Sequence, residues 1–321
     1  MRKCLDSILS QTYQDFEIIA VDDCSRDGSV ALLRSYQSTD KRIHLFQNEQ
    51  NLGLVKNWNQ CLKKANGAWI KYLFQDDFWE PECLSEVYSQ SKNLDFIFHA
   101  RTHIIDENVK PFLKSFYGAE RVSDMPELRS KTDIPAEEIN VLITKHSLFN
   151  FFGEPSCVAF RRAMVERFGY FNENLIQLCD YEYWCRIASN TGARYINKRL
   201  LTFAVHGNSA TSSNLASKAF RFNYLDHLII FREFLENPFY SSLRKTPANA
   251  KADFESLYTA RFKRMVYFLM QQPVKSRIVL YEEINKYAPF LSEVIIKLRS
   301  MYYGYKLKGL LGRVSIWLKS R

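Results

Sequence analysis

Short apolar runs that end in polar turns alternate, over the first hundred residues, with stretches whose apolar positions recur at helical spacing. Glu17 to Val21 reads as a short buried strand, stopped by Asp22-Asp23 and the turn-forming Ser25-Arg26-Asp27-Gly28. Val30, Leu33 and Tyr36 follow at helical spacing, and Ile43 to Phe46 reads as a second strand. Asn51-Leu52-Gly53 turns into a helix through Leu54, Trp58, Leu62 and Ala65, ended by Asn66-Gly67. Trp69 to Phe74 predicts a third strand, again stopped by two carboxylates, Asp76-Asp77. A helix near Glu82 to Lys92 and a strand at Phe96 to Ala100 complete the series. This alternation predicts an α/β fold with a mostly parallel, doubly wound sheet flanked by helices. Such sheets bind ligands in the crevice beyond the carboxyl ends of their strands, where both Asp pairs fall.

The pattern then changes. Asp106 to Lys131 is polar and poorly periodic, and reads as a long loop able to cover a cleft. A strand is predicted at Cys157 to Phe160, an amphipathic helix at Asp180 to Ser189 and a strand at Leu200 to Val205. Gly207 to Asn214 reads as a polar turn, and beyond about Ser217 the chain turns helical. The expected organisation is a catalytic domain over residues 1–212 and a helical C-terminal extension over 213–321.

Two adjacent carboxylates at a strand end repel each other near a low-dielectric sheet. A divalent cation removes that penalty, and hard oxygen ligands select Mg2+ or Mn2+. A single Asp-Asp pair is more often a turn with helix caps. Two of them ending successive buried strands point to function.

Composition narrows the partners. Aliphatic and aromatic residues make up 46% of the chain, which excludes a disordered polypeptide. The net charge of +9 implies attraction to polyanions. No helix-turn-helix, zinc-finger or RNA-recognition signature accompanies it, so nucleic acid is not the expected partner. A diphosphate-bearing donor and an anionic membrane surface both fit. The 7 cysteines are scattered without a Cys-x-x-Cys pair, as expected in a reducing cytosol. No apolar stretch has the length of a membrane span, so a cytoplasmic protein, either soluble or peripheral at the inner face of the membrane, is expected.

Taken together, these residues resemble the family 2 glycosyltransferases, which have the GT-A fold. Val21-Asp22-Asp23-Cys24-Ser25-Arg26-Asp27-Gly28-Ser29 is similar to the family's Val-Asp-Asp-Gly-Ser-x-Asp-Gly segment. Asn51, Gly53, Asn59, Ala65 and Gly67 keep its next helix in register, and Gln75-Asp76-Asp77-Phe78-Trp79 resembles its Asp-x-Asp metal motif. Gly153-Glu154-Pro155-Ser156 resembles a segment near the acceptor side. Asp180-Tyr181-Glu182-Tyr183-Trp184-Cys185-Arg186 resembles the segment carrying the general base.

The resemblance implies transfer of a sugar from a nucleotide-sugar donor to a hydroxyl of a glycan or lipid-linked acceptor, with inversion. By the same resemblance Asp22 and Asp23 bind the nucleoside, Asn59 belongs to the donor site and Asp76 meets the ribose or sugar. Asp77 holds the metal, His206 approaches metal or diphosphate, and Asp180 is the base. Read without the family, Asp180 is also a plausible helix cap.

Four departures accompany the resemblance. Cys179 stands where the family usually has Glu, Trp58 where it has Arg, and Phe74 where its longer motif has a first Asp. The chain also opens on a segment similar to the helix after the family's first strand, so it is expected to start beyond that strand. A catalytically inactive remnant acting as a binding or scaffold protein is the competing expectation.

Tyr302 to Arg321 sets Leu307, Leu310, Leu311, Val314, Trp317 and Leu318 against Lys306, Lys308, Arg313, Lys319 and Arg321. That is a basic amphipathic pattern suited to anionic lipid, though a helix packed on the protein reads the same way. If lipid is its partner, deleting Tyr302 to Arg321 releases the protein from anionic vesicles at moderate salt. Equal co-sedimentation of the two forms would remove the tail from the account.

Overall fold

The computed structural model describes residues 1–109, 111, 114, 117, 125, 128 and 132–292. The predicted tail helix at Tyr302 to Arg321 and most of the stretch 106–131 therefore lie outside the described residues. The chain divides into two compact units: Met1–Glu173 with Cys179–Ser213, and Asn174–Leu178 with the residues from Asn214 onward.

In the first unit, α1 (Arg2–Leu9), β1 (Ile18–Asp22), α2 (Ser29–Gln37), β2 (Ile43–Gln47), α3 (Leu54–Lys64) and β3 (Trp69–Lys71) follow the predicted alternation. Next come β4 (Phe78–Trp79), α4 (Cys83–Ser89), β5 (Phe96–Ile105), β6 (Asp133–Ile134) and α5 (Ala136–Lys145). The unit continues with β7 (Val158–Arg161), α6 (Ala163–Phe168), α7 (Cys179–Thr191) and β8 (Ala193–Val205). β1 and β2 form a parallel pair from Ile18↔Ile43 to Asp22↔Gln47. The remaining strands form a sheet in the order β3-β7-β5-β8-β4, with β6 also on β8.

This α/β architecture is the one the alternation predicts, with a mixed sheet. Its long β5–β8 ladder is parallel, whereas β3, β4, β6 and β7 pair antiparallel. β5 and β8 run well past the apolar segments that announce them, because Arg101, His103 and Asn197 to Arg199 interrupt the pattern without interrupting the ladder. β3 is shorter than its apolar run. After Lys71 the chain leaves the ladder, and Tyr72 donates its hydroxyl to Trp58 O at 2.9 Å.

The core centres on β5 and α7. Phe96, Ile97 and Phe98 are fully buried, as are Trp184 and Tyr183. Trp184 meets Phe96, Phe160 and Phe171 with ring centroids 5.6 to 5.7 Å apart. Helix α7 is buried along most of its length. Its two buried charges pair at i,i+4, Arg186 Nε donating to Glu182 Oε1 at 3.0 Å. The Arg186 guanidinium also reaches the carbonyls of Phe168 and Tyr170 at 2.7 and 3.0 Å. Burial of this pair is tolerable only because so many of its donors are satisfied.

The second unit is helical. α9 (Asp226–Glu236) and α11 (Ala250–Gln271) pack through Phe254 against Phe231 and Phe234, and α10 (Ser241–Lys245) and α12 (Val274–Tyr287) join them. A further helix, α8 (Ala210–Ser217), begins inside the stretch that reads as a polar turn. No described helix is long and apolar enough to cross a membrane.

Candidate active site

The first carboxylate pair ends β1. Asp22 is buried, and its Oδ2 accepts the Ser25 N–H at 3.0 Å. Asp23 is a loop anchor: Oδ1 accepts Asn48 Nδ2 at 2.9 Å and Leu52 N at 2.8 Å, and Oδ2 accepts Gly53 N at 2.9 Å. Gly53 sits at φ +83°, a left-handed conformation that opens α3 and that side chains resist. Asn57, one turn into that helix, donates to Val21 O at 3.1 Å. Asp23 therefore fixes the 48–53 loop against the strand end, and Asp22, the more buried of the two, holds the turn that follows β1. Between them and the next turn, Cys24 takes φ +64°, where the family segment has glycine.

The second pair also divides its labour. Asp77, expected as the metal ligand, is 1% exposed. Its Oδ2 accepts the Ser156 hydroxyl at 2.7 Å and its Oδ1 accepts Ala204 N–H at 3.0 Å. Burial pushes its carboxyl up to about 7 against those two hydrogen bonds, helped by the charges of Asp76 and Glu154. Such a group is a structural knot. Asp76 instead keeps a quarter of its side chain exposed and meets His206 Nε2 through Oδ2 at 2.7 Å. The carboxylate–imidazole pair, expected from separate motifs, is thus one place in the structure.

Asn59 is engaged within the protein. It is buried, its Nδ2 donates to Phe171 O at 3.1 Å and Glu173 Oε1 at 3.2 Å, and its Oδ1 accepts Phe171 N–H at 3.0 Å. Both ends of the amide hold the 171–173 segment. Beside it, Trp58 and Phe74 stack with centroids 5.1 Å apart and planes at 21°. The two positions that depart from the family's Arg and Asp therefore carry aromatic rings in contact with each other.

Asp180 lies at the start of α7, half-buried. Its Oδ1 accepts Tyr181 N–H at 2.7 Å and its Oδ2 accepts Asn150 Nδ2 at 3.1 Å. Burial pushes its carboxyl up to about 7; the Glu154 carboxylate adds to the rise and Arg101 opposes it. Sequence reasoning passed over Arg101, whose side chain is 10% exposed and pairs with Glu154 at 2.6 Å. The approach is close enough that a Cβ on Gly153, at φ +95°, would stand 2.7 Å from Arg101 Nη1. The Glu154 charge raises the carboxyls of both Asp77 and Asp180. Cys179, beside Asp180, is buried.

Residues 1–169, carrying the strand-end carboxylates, match the profile described as Glycosyl transferase family 2. The chain belongs to that family. It is 28% identical over 240 residues to the uncharacterized protein MT1568 of Mycobacterium tuberculosis, covering 74% of this chain and 72% of the relative. It is 38% identical over 80 residues to the putative teichuronic acid biosynthesis glycosyltransferase TuaG of Bacillus subtilis, covering 25% of this chain and 32% of that protein. Among solved structures, Staphylococcus aureus TarS 1–349 in complex with UDP-GlcNAc aligns with a TM-score of 0.58 at 17% identity, over 89% of this chain and 76% of TarS. The mannosyltransferase PcManGT of Pyrobaculum calidifontis, in complex with GDP-Man and Mn2+, aligns with a TM-score of 0.51 at 15% identity, over 98% and 83%. At these identities the structural likeness shows the shared fold. The protein is therefore a glycosyltransferase of the GT-A architecture.

The placement of Asn59 makes a clean test. Asn59→Ala should lower stability by about 2 kcal/mol, since it leaves buried Phe171 backbone groups unpaired. Affinity for a nucleoside diphosphate, read by calorimetry, should stay within about twofold, a difference well under 1 kcal/mol. Lost affinity at unchanged stability would restore Asn59 to the donor site.

Proposed function

We propose that this glycosyltransferase moves a sugar from a nucleoside diphosphate to a hydroxyl acceptor in a single displacement that inverts the anomeric carbon. The observation that carries the reading is Asp180, a half-buried carboxylate with Asn150 on one oxygen and the Glu154–Arg101 pair beside it. An acceptor hydroxyl is a poor nucleophile, and a carboxylate within hydrogen-bond reach takes its proton as the new bond to the sugar forms. The bond from sugar to diphosphate breaks in the same step, and its electrons leave with the phosphate oxygen.

At the donor end, Asp22 would contact the nucleoside, with Asp23 holding the loop around it. Asp76 and His206 are the side chains suited to a divalent ion, in place of the Asp77 expected from the motif. Among the described residues no three His, Cys, Asp or Glu side chains gather into a metal cage. Two protein donors fit an ion such as Mn2+ or Mg2+ whose remaining positions are filled by water and phosphate. When bound, it would neutralise the departing diphosphate. Asp77 would serve by holding its neighbour Asp76 toward the crevice.

The names of the similar proteins favour glycan synthesis as the setting. TuaG is named for teichuronic acid biosynthesis, and TarS and PcManGT are in complex with UDP-GlcNAc and GDP-Man. The acceptor would be a growing glycan or a lipid-linked hydroxyl, and the 7 free thiols suit a cytoplasmic location, with the membrane's inner face as a possible docking surface.

Asp180 titrates the reaction in a stated direction. Burial favours its neutral acid, so the base form is populated only as pH rises through about 7. Turnover should therefore climb about tenfold per pH unit below that point and level above it. Asp180→Asn should cut turnover about 10²- to 10⁴-fold with donor affinity unchanged. The readout is mass spectrometry of a panel of uridine, guanosine and deoxythymidine diphosphate sugars. A fall of tenfold or less would leave Asp180 as a helix cap.

A further inference from the structure

Asn150 lies in the stretch between α5 and β7 and uses both ends of its amide. Its Oδ1 accepts the Gly153 N–H at 3.2 Å, and its Nδ2 donates to Gly153 O at 3.0 Å. The same Nδ2 donates to Asp180 Oδ2 at 3.1 Å. A flipped amide would set its oxygen against both the Gly153 carbonyl and the carboxylate, and its own N–H groups against the Gly153 N–H. The bend therefore dictates which end of the side chain faces Asp180, and that end is a donor.

The bend is held from its other side as well. Gly153 takes φ +95°, and the carboxylate of Glu154 that follows it meets Arg101 of β5 at 2.6 Å. One short stretch, 150–154, thus brings an N–H to one oxygen of Asp180 and a carboxylate to Arg101. The other oxygen of Asp180 accepts the Tyr181 N–H at 2.7 Å, at the head of α7. Both of these partners donate, and neither offers a lone pair to the proton of a neutral acid. A carboxylate accepts about four hydrogen bonds, so lone pairs remain for an incoming hydroxyl.

The other groups around Asp180 do not take over this part. Tyr117 and Cys185 lie in its field, and burial pushes up both the phenol and the thiol, which keeps them neutral. Cys179, which precedes it on the helix, is buried. The Glu154 charge opposes the ionised form of Asp180, and Arg101, which favours it, is paired with Glu154. An N–H on the carboxylate counters that opposition directly, because a hydrogen bond to the charged form favours it.

We infer that Asn150 is a positioning residue: tied to Gly153 at both ends of its amide, it turns an N–H to Asp180 and holds that carboxylate ready to take a proton. The inference rests on the reading of Asp180 as the base.

Four variants of the full chain decide it: Asn150→Ala, Asn150→Ser, Glu154→Gln and Asp180→Asn. The substrate is whichever diphosphate sugar in the panel the unaltered protein turns over fastest. Turnover is expressed per donor-binding site counted by calorimetry, so that a misfolded fraction does not enter, and it is followed across the acidic limb that bends at about 7. Asn150→Ala removes the N–H and should move that limb up by about one pH unit, with turnover about tenfold lower one unit below the original bend. Asn150→Ser, a second removal of the amide, should move the limb the same way and carries the test if the alanine variant does not fold. Glu154→Gln removes a like charge and should move the limb down. A role confined to propping the bend would lower turnover at every pH and leave the limb in place. That result in the Asn150 variants, beside a downward move in Glu154→Gln, would overturn the inference and leave the base standing. An Asp180→Asn variant with normal turnover and the same limb would instead overturn the base reading, and the role of Asn150 with it.

Discussion

The hydrogen bonds that Asp77 accepts from Ser156 and Ala204 join three separate parts of the chain at one buried point: the turn after β3, the segment before β7 and the long strand β8. Ser156 is itself held from behind, its carbonyl accepting Lys71 Nζ at 2.8 Å and Trp79 Nε1 at 3.2 Å. Nearly everything at the donor end follows from this knot. With Asp77 turned into the protein, its neighbour Asp76 stands half-exposed beside His206, which β8 delivers just past Ala204. The segment that provides Ser156 also provides Glu154, two residues earlier, next to Arg101 and within electrostatic reach of Asp180.

The two carboxylates of each adjacent pair are bonded differently. Asp23 accepts from Asn48, Leu52 and Gly53 and Asp77 from Ser156 and Ala204, while Asp22 accepts one N–H from Ser25 and Asp76 meets His206. Electrostatics gives the same division a reason. Two like charges side by side in a low-dielectric strand end repel, and hydrogen bonds to one of them lower that strain without any ion.

The sequence shows the alternation of strands and helices, the location of both Asp pairs at strand ends and the candidate base at the head of a helix. It does not show which member of a pair turns inward, because that depends on donors far along the chain: Ser156 and Ala204 for Asp77, the 48–53 loop for Asp23. Nor does it show that Asn59 bonds Phe171, which lies 112 positions away. Trp58 and Phe74 look like two unrelated losses of charge until their rings are found stacked. Arg101 is hidden by β5, where a polar residue inside a strand pattern reads as the strand's end.

The central claim is that Asp76 and His206, and not Asp77, present the protein's ligands to a divalent ion in front of the diphosphate. Crystals grown with Mn2+ and a nucleoside diphosphate, measured at the manganese absorption edge, test it directly. The account predicts an anomalous peak about 2.0 to 2.2 Å from an Asp76 carboxylate oxygen and from His206 Nε2, with Asp77 still bonded to Ser156. A peak on Asp77, with its bonds to Ser156 and Ala204 broken, would contradict it.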